Sequence, residues 1–388
     1  MPGRVRPLSI AFLDVHPWDY HAGTPWLRLL GGTQSAACYL ATTLAARGHR
    51  VGLSTHTTDP GTHRGVECVG PIPGRDVDWL GRFDIVVVLG TGEAAQLRAA
   101  IPASTRLVLW TGFAPNLKIM QHLASRQEQA QWDGFVFCSI WQQRRYRNAF
   151  DLPAGKCRVL RYGAAPPFVE LPVESRAPTP SPVFLQSSAP ERGLFVLLDA
   201  WPAIRAALPG ARLTVVSSRR PYFIDEPADG YRTLYARARA MDGVDYLGGL
   251  AQPELAARAL RADGLLYPCT FPETGCIAAI EAMAAGLRVV TTTMAVLPET
   301  CAGYAALVER DEPPRLARNF AAAVIADWQR AMAEPDAFRA ARAEQIRFVR
   351  AAHDWSRIAT EWEPWLASIA EDRTRATQRP AIRHNAPS

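Results

Sequence analysis

Two successive sets of short β-branched runs, each interleaved with helical, Ala-rich stretches and parted by one proline-rich segment, constrain this chain more than any single motif. In the first set "LSIAFLDV", "HRVGLST", "DIVVVLG", "TRLVLWTG" and "GFVFCSI" read as strands, with "QSAACYLATTLAARG" as the leading helix. The second set runs "PVFLQSS", "ARLTVVSS", "GVDYLGGL", "GLLYPC" and "LRVVTTT", with "GLFVLLDAWPAIRAALPG" and "QPELAARALRAD" as helices between them. Strand alternating with helix predicts parallel sheets covered on both faces, so the expected fold class is α/β. The segment "AAPPFVELPVESRAPTPSP", Ala164 to Pro182, is too rich in proline for helix and is expected to be an extended linker.

Two doubly wound sets joined by a linker predict a cleft between the C-terminal edges of two sheets, where open α/β sheets bind ligands. From about Pro313 the pattern turns helical, and "WSRIATEWEPWLASIA" keeps a Trp and Ile stripe at helical spacing, suited to packing on one of the domains. The expected divisions are residues 1–170 and 171–352 for the two domains, 353–370 for a final helix, and 371–388 for a polar tail expected to be disordered.

Composition narrows the class. No apolar run approaches the roughly 20 residues needed to span a bilayer, and "SIAFLDV" near the start is too short and too acidic for a secretory core. A soluble chain is expected. The seven cysteines are scattered, odd in number and without a Cys-x-x-Cys pair, which suggests neither a disulfide framework nor a zinc site and makes a reducing cytoplasm the simplest setting. The formal charge of +6 includes Arg373, Arg375, Arg379 and Arg383 of the tail, so it does not require a nucleic-acid partner. Asp76 and Asp78 in "DVD" read as loop charge rather than as a metal-binding pair.

Four stretches carry chemistry. Gly31-Gly32-Thr33 opens a helix, where free N–H groups and the positive dipole end suit a phosphate; a tight loop without a ligand explains the glycines equally well. Arg192 in "APERGLFVLLDAW" stands at another helix start, where its charge opposes the dipole and would be suited to neutralising a diphosphate. Arg219 and Arg220 end the strand "ARLTVVSS" at a comparable edge. In "FPETGCIAAIEAMAAG" Glu273 is expected at a helix N-terminus, as a cap or as a site acid, with Glu281 about two turns along the same side. A buried carboxylate is costly without partners, and ligand hydroxyls could supply them.

The glutamates separated by seven residues, followed by "EAMAAG", together with "LGGTQSAACYLATTLAARGHRV", "FCSIWQQRRY", "APERGLFVLLDAW" and "VDYLGGL", resemble the retaining GT-B glycosyltransferases of family 4 over nearly the whole chain. The resemblance implies a GT-B architecture of two Rossmann-like domains: an N-terminal acceptor domain and a C-terminal domain for a nucleotide-diphosphate sugar, UDP- or GDP-linked. The final helix is implied to cross back to the first domain. By that likeness Glu273 meets sugar hydroxyls and Glu281 the ribose. Gly31, Gly32, the stretch Thr274, Gly275, Cys276 and Ile277, and Arg192 meet the diphosphate, while Gly249 and Leu250 lie near the base. The acceptor side would take His16, Trp18, Asp19, Phe113 and Asn116, although "HPWDY" also reads as an aromatic packing cluster. No metal or cofactor is implied.

Three positions depart from the family pattern. Ser187 stands where an arginine is frequent, so Arg219 is expected to supply the missing charge. Thr274-Gly275-Cys276 replaces a loop with two glycines beside an aromatic residue, and Phe113 stands about where relatives place a histidine. The implied reaction is front-face substitution with retention, the diphosphate leaving without a protein nucleophile. The alternatives are a nucleotide-sugar epimerase or hydrolase on the same fold, or a catalytically silent binding protein.

Overall fold

The computed structural model describes residues 6–71, 76–170, 172, 176–222 and 224–377. Its first sheet is formed by β1 (Ser9–Asp14), β2 (Arg50–Ser54), β3 (Gly61–His63), β4 (Val66–Val69), β5 (Ile85–Leu89), β6 (Arg106–Thr111), β7 (Gly134–Phe137) and β8 (Cys157–Val159). Their order is β3-β4-β2-β1-β5-β6-β7-β8. Only the β3–β4 pair is antiparallel. All residues of β5 and β6 are buried, the signature of central parallel strands covered on both faces. The β3–β4 hairpin turns through Arg64 and Gly65, both at positive φ (52° and 81°), the backbone shape that tight two-residue hairpins require.

The second sheet comprises β9 (Val183–Ser187), β10 (Arg212–Val216), β11 (Val244–Gly248), β12 (Gly264–Tyr267), β13 (Arg288–Thr292) and β14 (Ala306–Val308), all parallel, in the order β11-β10-β9-β12-β13-β14. In each sheet the winding direction reverses once, between β1 and β5 and between β9 and β12. Such reversals open a crevice at the strand ends.

The linker differs from its sequence expectation. Pro166–Glu170 forms one helical turn. Proline is tolerated there because the first helical N–H groups have no intrahelical acceptor to lose.

The Pro335–Ala352 helix packs beside the Ile277–Ala284 helix, and Gln345 Nε2 donates to the carbonyls of Met283 (3.1 Å) and Leu287 (3.0 Å). The last helix, Trp355–Thr377, lies against the first domain's Gly32–Ala46 helix through buried Trp355, Ile358, Trp362 and Leu366. Trp362 meets Trp110 edge-on at 5.0 Å, and Glu363 accepts from Arg47 Nε (2.5 Å) and Nη2 (2.8 Å). This helix carries on past residue 370, so Arg373 and Arg375, expected in a disordered tail, belong to it; Arg379 and Arg383 lie outside the described residues. Asp76 and Asp78, expected in a loop, fall in the short Asp76–Leu80 helix.

Direct hydrogen bonds hold the domains against each other. The Thr274 carbonyl accepts from Ser139 Oγ (2.7 Å) and Cys138 Sγ (3.1 Å), while Thr274 Oγ1 donates to the Gly112 carbonyl (2.7 Å). Glu299 of the second domain accepts from the N–H groups of Ile140 and Trp141, both at 2.9 Å. These are orphan donors at the start of the Ile140–Phe150 helix, so one domain caps a helix of the other.

Candidate active site

Between the sheet edges lies a cavity of about 670 Å³. Its first-domain wall comes from Trp18, the Leu29–Gln34 stretch, and Phe113, Ala114, Asn116 and Leu117 after β6. Its second-domain wall comes from the loops after β9, β10, β11 and β12. The cavity therefore sits where the chain topology opens both sheets.

Glu273 is the centre of the charged cluster. The sequence places it at a helix start, but that helix begins at Ile277, so Glu273 lies in the preceding loop and caps nothing. Its Oε1 instead accepts from Arg192 Nη1 and from the Tyr267 hydroxyl, each at 2.5 Å. Arg192 Nη2 also reaches the Tyr222 hydroxyl at 3.3 Å, and its guanidinium lies 5.2 Å from the centre of the Phe271 ring. Burial opposes the charge on Arg192 most strongly, but the facing Glu273 carboxylate together with Tyr222, Tyr267 and Glu191 outweighs it, and the pKa is raised further. A permanent cation is thus aimed into a partly dry site, the arrangement that best stabilises a departing anion.

Two helix starts face one another across the cavity. The backbone N–H groups of Gly32 and Thr33 on one side, and of Ile277 and Ala278 on the other, have no hydrogen-bond partner among the described residues. A Cβ added at Gly32 would stand 3.2 Å from Ile277 Cδ1, which shows how closely the two ends approach. Cys276, just before the second helix, holds φ 42°, ψ 67°, a left-handed conformation that costs a side-chain-bearing residue energy and turns the following N–H groups toward the cavity. Gly275 is required for contact: a Cβ there would lie 2.6 Å from Tyr162 Cδ2 of the first domain.

Glu281 sits deeper, only 4% exposed. Burial pushes its carboxyl up to about 8, against the opposing pull of the Ala165 N–H (3.3 Å to Oε1) and the Gln252 side chain. Around it and Glu273, five cavity-lining residues keep a buried polar atom without a partner: Tyr162 Oη, Glu191 Oε2, Arg192 Nε, Arg219 Nε and Gln252 Oε1. Buried polar atoms are seldom left unpaired, so a polar ligand is the natural complement of this surface.

Most of the residues singled out in the sequence line this one cavity: Gly31, Gly32, Trp18, Phe113, Asn116, Ser187, Arg192, Arg219, Gly249, Leu250 and Glu281, with the stretch from Glu273 to Ile277. Two do not. Asp19 accepts from the Thr58 N–H and hydroxyl, both at 3.0 Å, and serves to hold a surface loop. His16 stands behind the wall, stacked on Trp18 at 4.5 Å and 5.5 Å from Phe113, with Nδ1 at 2.7 Å from Asp14 Oδ1. Thr274 lines the cavity, but its hydroxyl is spent on the Gly112 carbonyl, so it joins domains rather than presenting a donor to a ligand.

Tyr267, Tyr222 and Gln252 escaped sequence reasoning. Tyr267 closes the strand "GLLY" and is legible there only as a β-former, and Tyr222 and Gln252 belong to no motif. Only the fold aims Tyr267 at Glu273, Tyr222 at Arg192 and Gln252 at Glu281.

Residues 180–325 match the family described as "Glycosyl transferases group 1". The phosphatidyl-myo-inositol mannosyltransferase of Propionibacterium freudenreichii is 30% identical over 176 residues, 44% of this chain and 39% of that protein. A GDP-mannose-dependent alpha-(1-6)-phosphatidylinositol monomannoside mannosyltransferase of Mycobacterium tuberculosis is 29% identical over 183 residues, 43% of this chain and 46% of that protein. The chain thus spans less than half the length of these curated relatives. Anabaena Alr3699/HepE, solved in complex with UDP-glucose, superposes with a TM-score of 0.67 at 18% identity, covering 93% of this chain and 100% of that one. At such low identity the likeness speaks for the fold. The chain has the two-domain GT-B fold, and residues 180–325 of its second domain match the glycosyl transferases of group 1.

Proposed function

We propose that this protein transfers a sugar from a nucleotide-diphosphate sugar to an acceptor bound against the first domain, with retention of anomeric configuration. The observation that carries this reading is the convergence on one interdomain cavity of half-buried Arg192 paired with buried Glu273, free N–H groups from two facing helix starts, and the deeply buried Glu281. The diphosphate bridges the helix starts beside Arg192 and Arg219, Glu281 accepts from the ribose hydroxyls, and Glu273 accepts from the sugar. The acceptor oxygen or sulfur attacks the anomeric carbon as its bond to the diphosphate breaks, and the growing negative charge falls on Arg192 and the N–H groups. We assign charge stabilisation to these groups rather than to a metal ion. The free cysteines fit a reducing compartment such as the cytoplasm. Among the described residues no helix is long and apolar enough to cross a membrane.

The relatives decide which donors to test first: GDP-mannose, from the printed name of the mycobacterial enzyme, then UDP-glucose, from the Anabaena complex. One of the two nucleotide diphosphates is expected to raise the melting temperature, and the matching sugar nucleotide to be consumed faster when acceptor is added. Free sugar or an epimer formed at the same rate without acceptor would establish a hydrolase or epimerase instead. Binding without any turnover would establish a silent binding protein.

The acceptor's proton has two possible destinations, a diphosphate oxygen or His16. The first is favoured, because His16 stands behind the cavity wall against Trp18 and Phe113, with Nδ1 held by buried Asp14. His16→Ala is therefore expected to leave kcat for transfer within a few-fold of the parent. A loss of about a hundredfold in transfer with donor hydrolysis spared would send the proton to His16.

A further inference from the structure

Three side chains that the proposed reaction does not use converge on the first domain, and none of them lines the interdomain cavity. His21 lies in the loop after β1, Asp59 lies between β2 and β3, and His63 ends β3 just before the tight hairpin turn. The imidazoles of His21 and His63 stack with centroids 3.7 Å apart and planes 27° from parallel. Both Nε2 atoms approach the same Asp59 oxygen, His21 at 3.7 Å and His63 at 3.6 Å. These separations are too long for hydrogen bonds. They are close to the spacing of roughly 3.3 Å between ligand atoms that each stand about 2.0 to 2.1 Å from a tetrahedral ion. His21 is buried, His63 half-buried and Asp59 exposed, so the triangle is anchored on one side and open to water on the other.

We propose that His21, Asp59 and His63 bind one divalent transition-metal ion of the zinc class, with water completing the coordination. Two imidazole nitrogens and one carboxylate suit zinc, cobalt or nickel, whereas magnesium and calcium prefer all-oxygen sites. Binding exchanges two weak contacts for metal bonds. The Gly23 N–H donates to His21 Nδ1 (3.1 Å), placing the ring proton on Nε2; ligation moves that proton to Nδ1. His63 Nε2 likewise gives up the Asp59 carbonyl at 3.0 Å. The ion clips the loop after β1 to the edge hairpin. That loop presents Trp18 to the cavity, so the clip stiffens the first-domain wall whichever reaction the cavity performs.

The test uses the full chain, stripped with a chelator and titrated with cobalt(II) alone, watching the visible d–d bands of a low-coordinate protein complex. One equivalent is expected to saturate the bands and to raise the melting temperature, and zinc to displace the cobalt. His63→Ala and Asp59→Asn should each abolish saturable binding. The asparagine replaces an exposed side chain without changing its shape, so it keeps the test valid if the alanine variant folds poorly. His122→Ala, at a half-exposed imidazole 3.9 Å from Glu93, should leave the bands intact. A spectrum that stays that of aqueous cobalt, or bands that persist in both site variants, would overturn the proposal.

Discussion

Glu281→Gln is expected to make the protein more stable at alkaline pH and a poorer nucleotide binder. The folded protein holds the Glu281 proton up to about pH 8, whereas the unfolded chain releases it near the ordinary value of 4.5. The native state therefore binds more protons across that window, so stability falls as pH rises from about 4.5 to 8 and levels off above it. Glutamine has nothing to ionise and removes the slope. The gain above pH 8 is expected to be about 2 to 4 kcal/mol, less than the full pKa gap implies because the unfolded reference and local water soften it. Chemical unfolding at pH 5 and pH 8.5 checks this; parallel curves for the two proteins at both pH values would remove the buried charge from the account.

In binding above about pH 8, where Glu281 is ionised, the same substitution removes a charged acceptor from the ribose hydroxyls, worth about 1.5 to 3 kcal/mol, or roughly tenfold to a hundredfold in affinity for the nucleotide diphosphate. Calorimetric titration measures it, and unchanged affinity would displace Glu281 from the ribose. Stability gained where binding is lost is the signature of a residue kept for its ligand rather than for the fold.

The second large effect belongs to Arg192. Arg192→Ala is expected to reduce kcat about a hundredfold to a thousandfold, the cost of removing one preorganised group aimed at developing charge. Donor affinity should fall less, because Arg219 and the free N–H groups still meet the ground-state diphosphate. Arg192→Lys should recover only part of the rate, since an ammonium cannot span the Glu273 carboxylate and the Tyr222 hydroxyl as the planar guanidinium does. Steady-state kinetics separate the outcomes: a raised KM with unchanged kcat would make Arg192 a binding residue alone. Because Arg192→Ala leaves Glu273 without its cation, Arg192→Ala combined with Glu273→Gln should lose less stability than the sum of the two changes.

Elements with strong periodicity are legible in the sequence itself. "DIVVVLG" and "TRLVLWTG" are continuous apolar runs, and both form buried central strands. The short strands β3, β8 and β14 carry no such signal, since three residues are too few to display a period. The Pro166–Glu170 turn is hidden because proline counts against helix everywhere except at its start.

The candidate site divides in the same way. Glu281 is suspect on sequence because a carboxylate in an Ala-rich helix conflicts with its surroundings, and such conflicts concentrate at functional positions. Asp19 sits in an equally suggestive motif, "HPWDY", yet its carboxylate turns to Thr58. Nothing local distinguishes the two cases, because side-chain direction depends on which strand end and which loop become neighbours.

From the sequence alone follow the two α/β domains, the place of the cleft between them, and the chemical types gathered along it, because periodicity and helix starts are local properties of the chain. Tertiary structure alone decided that Glu273 pairs with Arg192 and Tyr267 instead of capping a helix, that Thr274 fastens one domain to the other, and that His21, Asp59 and His63 meet. Those partners lie 81, 162 and 42 residues apart at their widest, or were brought together by strand order, and no periodicity encodes a contact that only sheet winding and domain closure create.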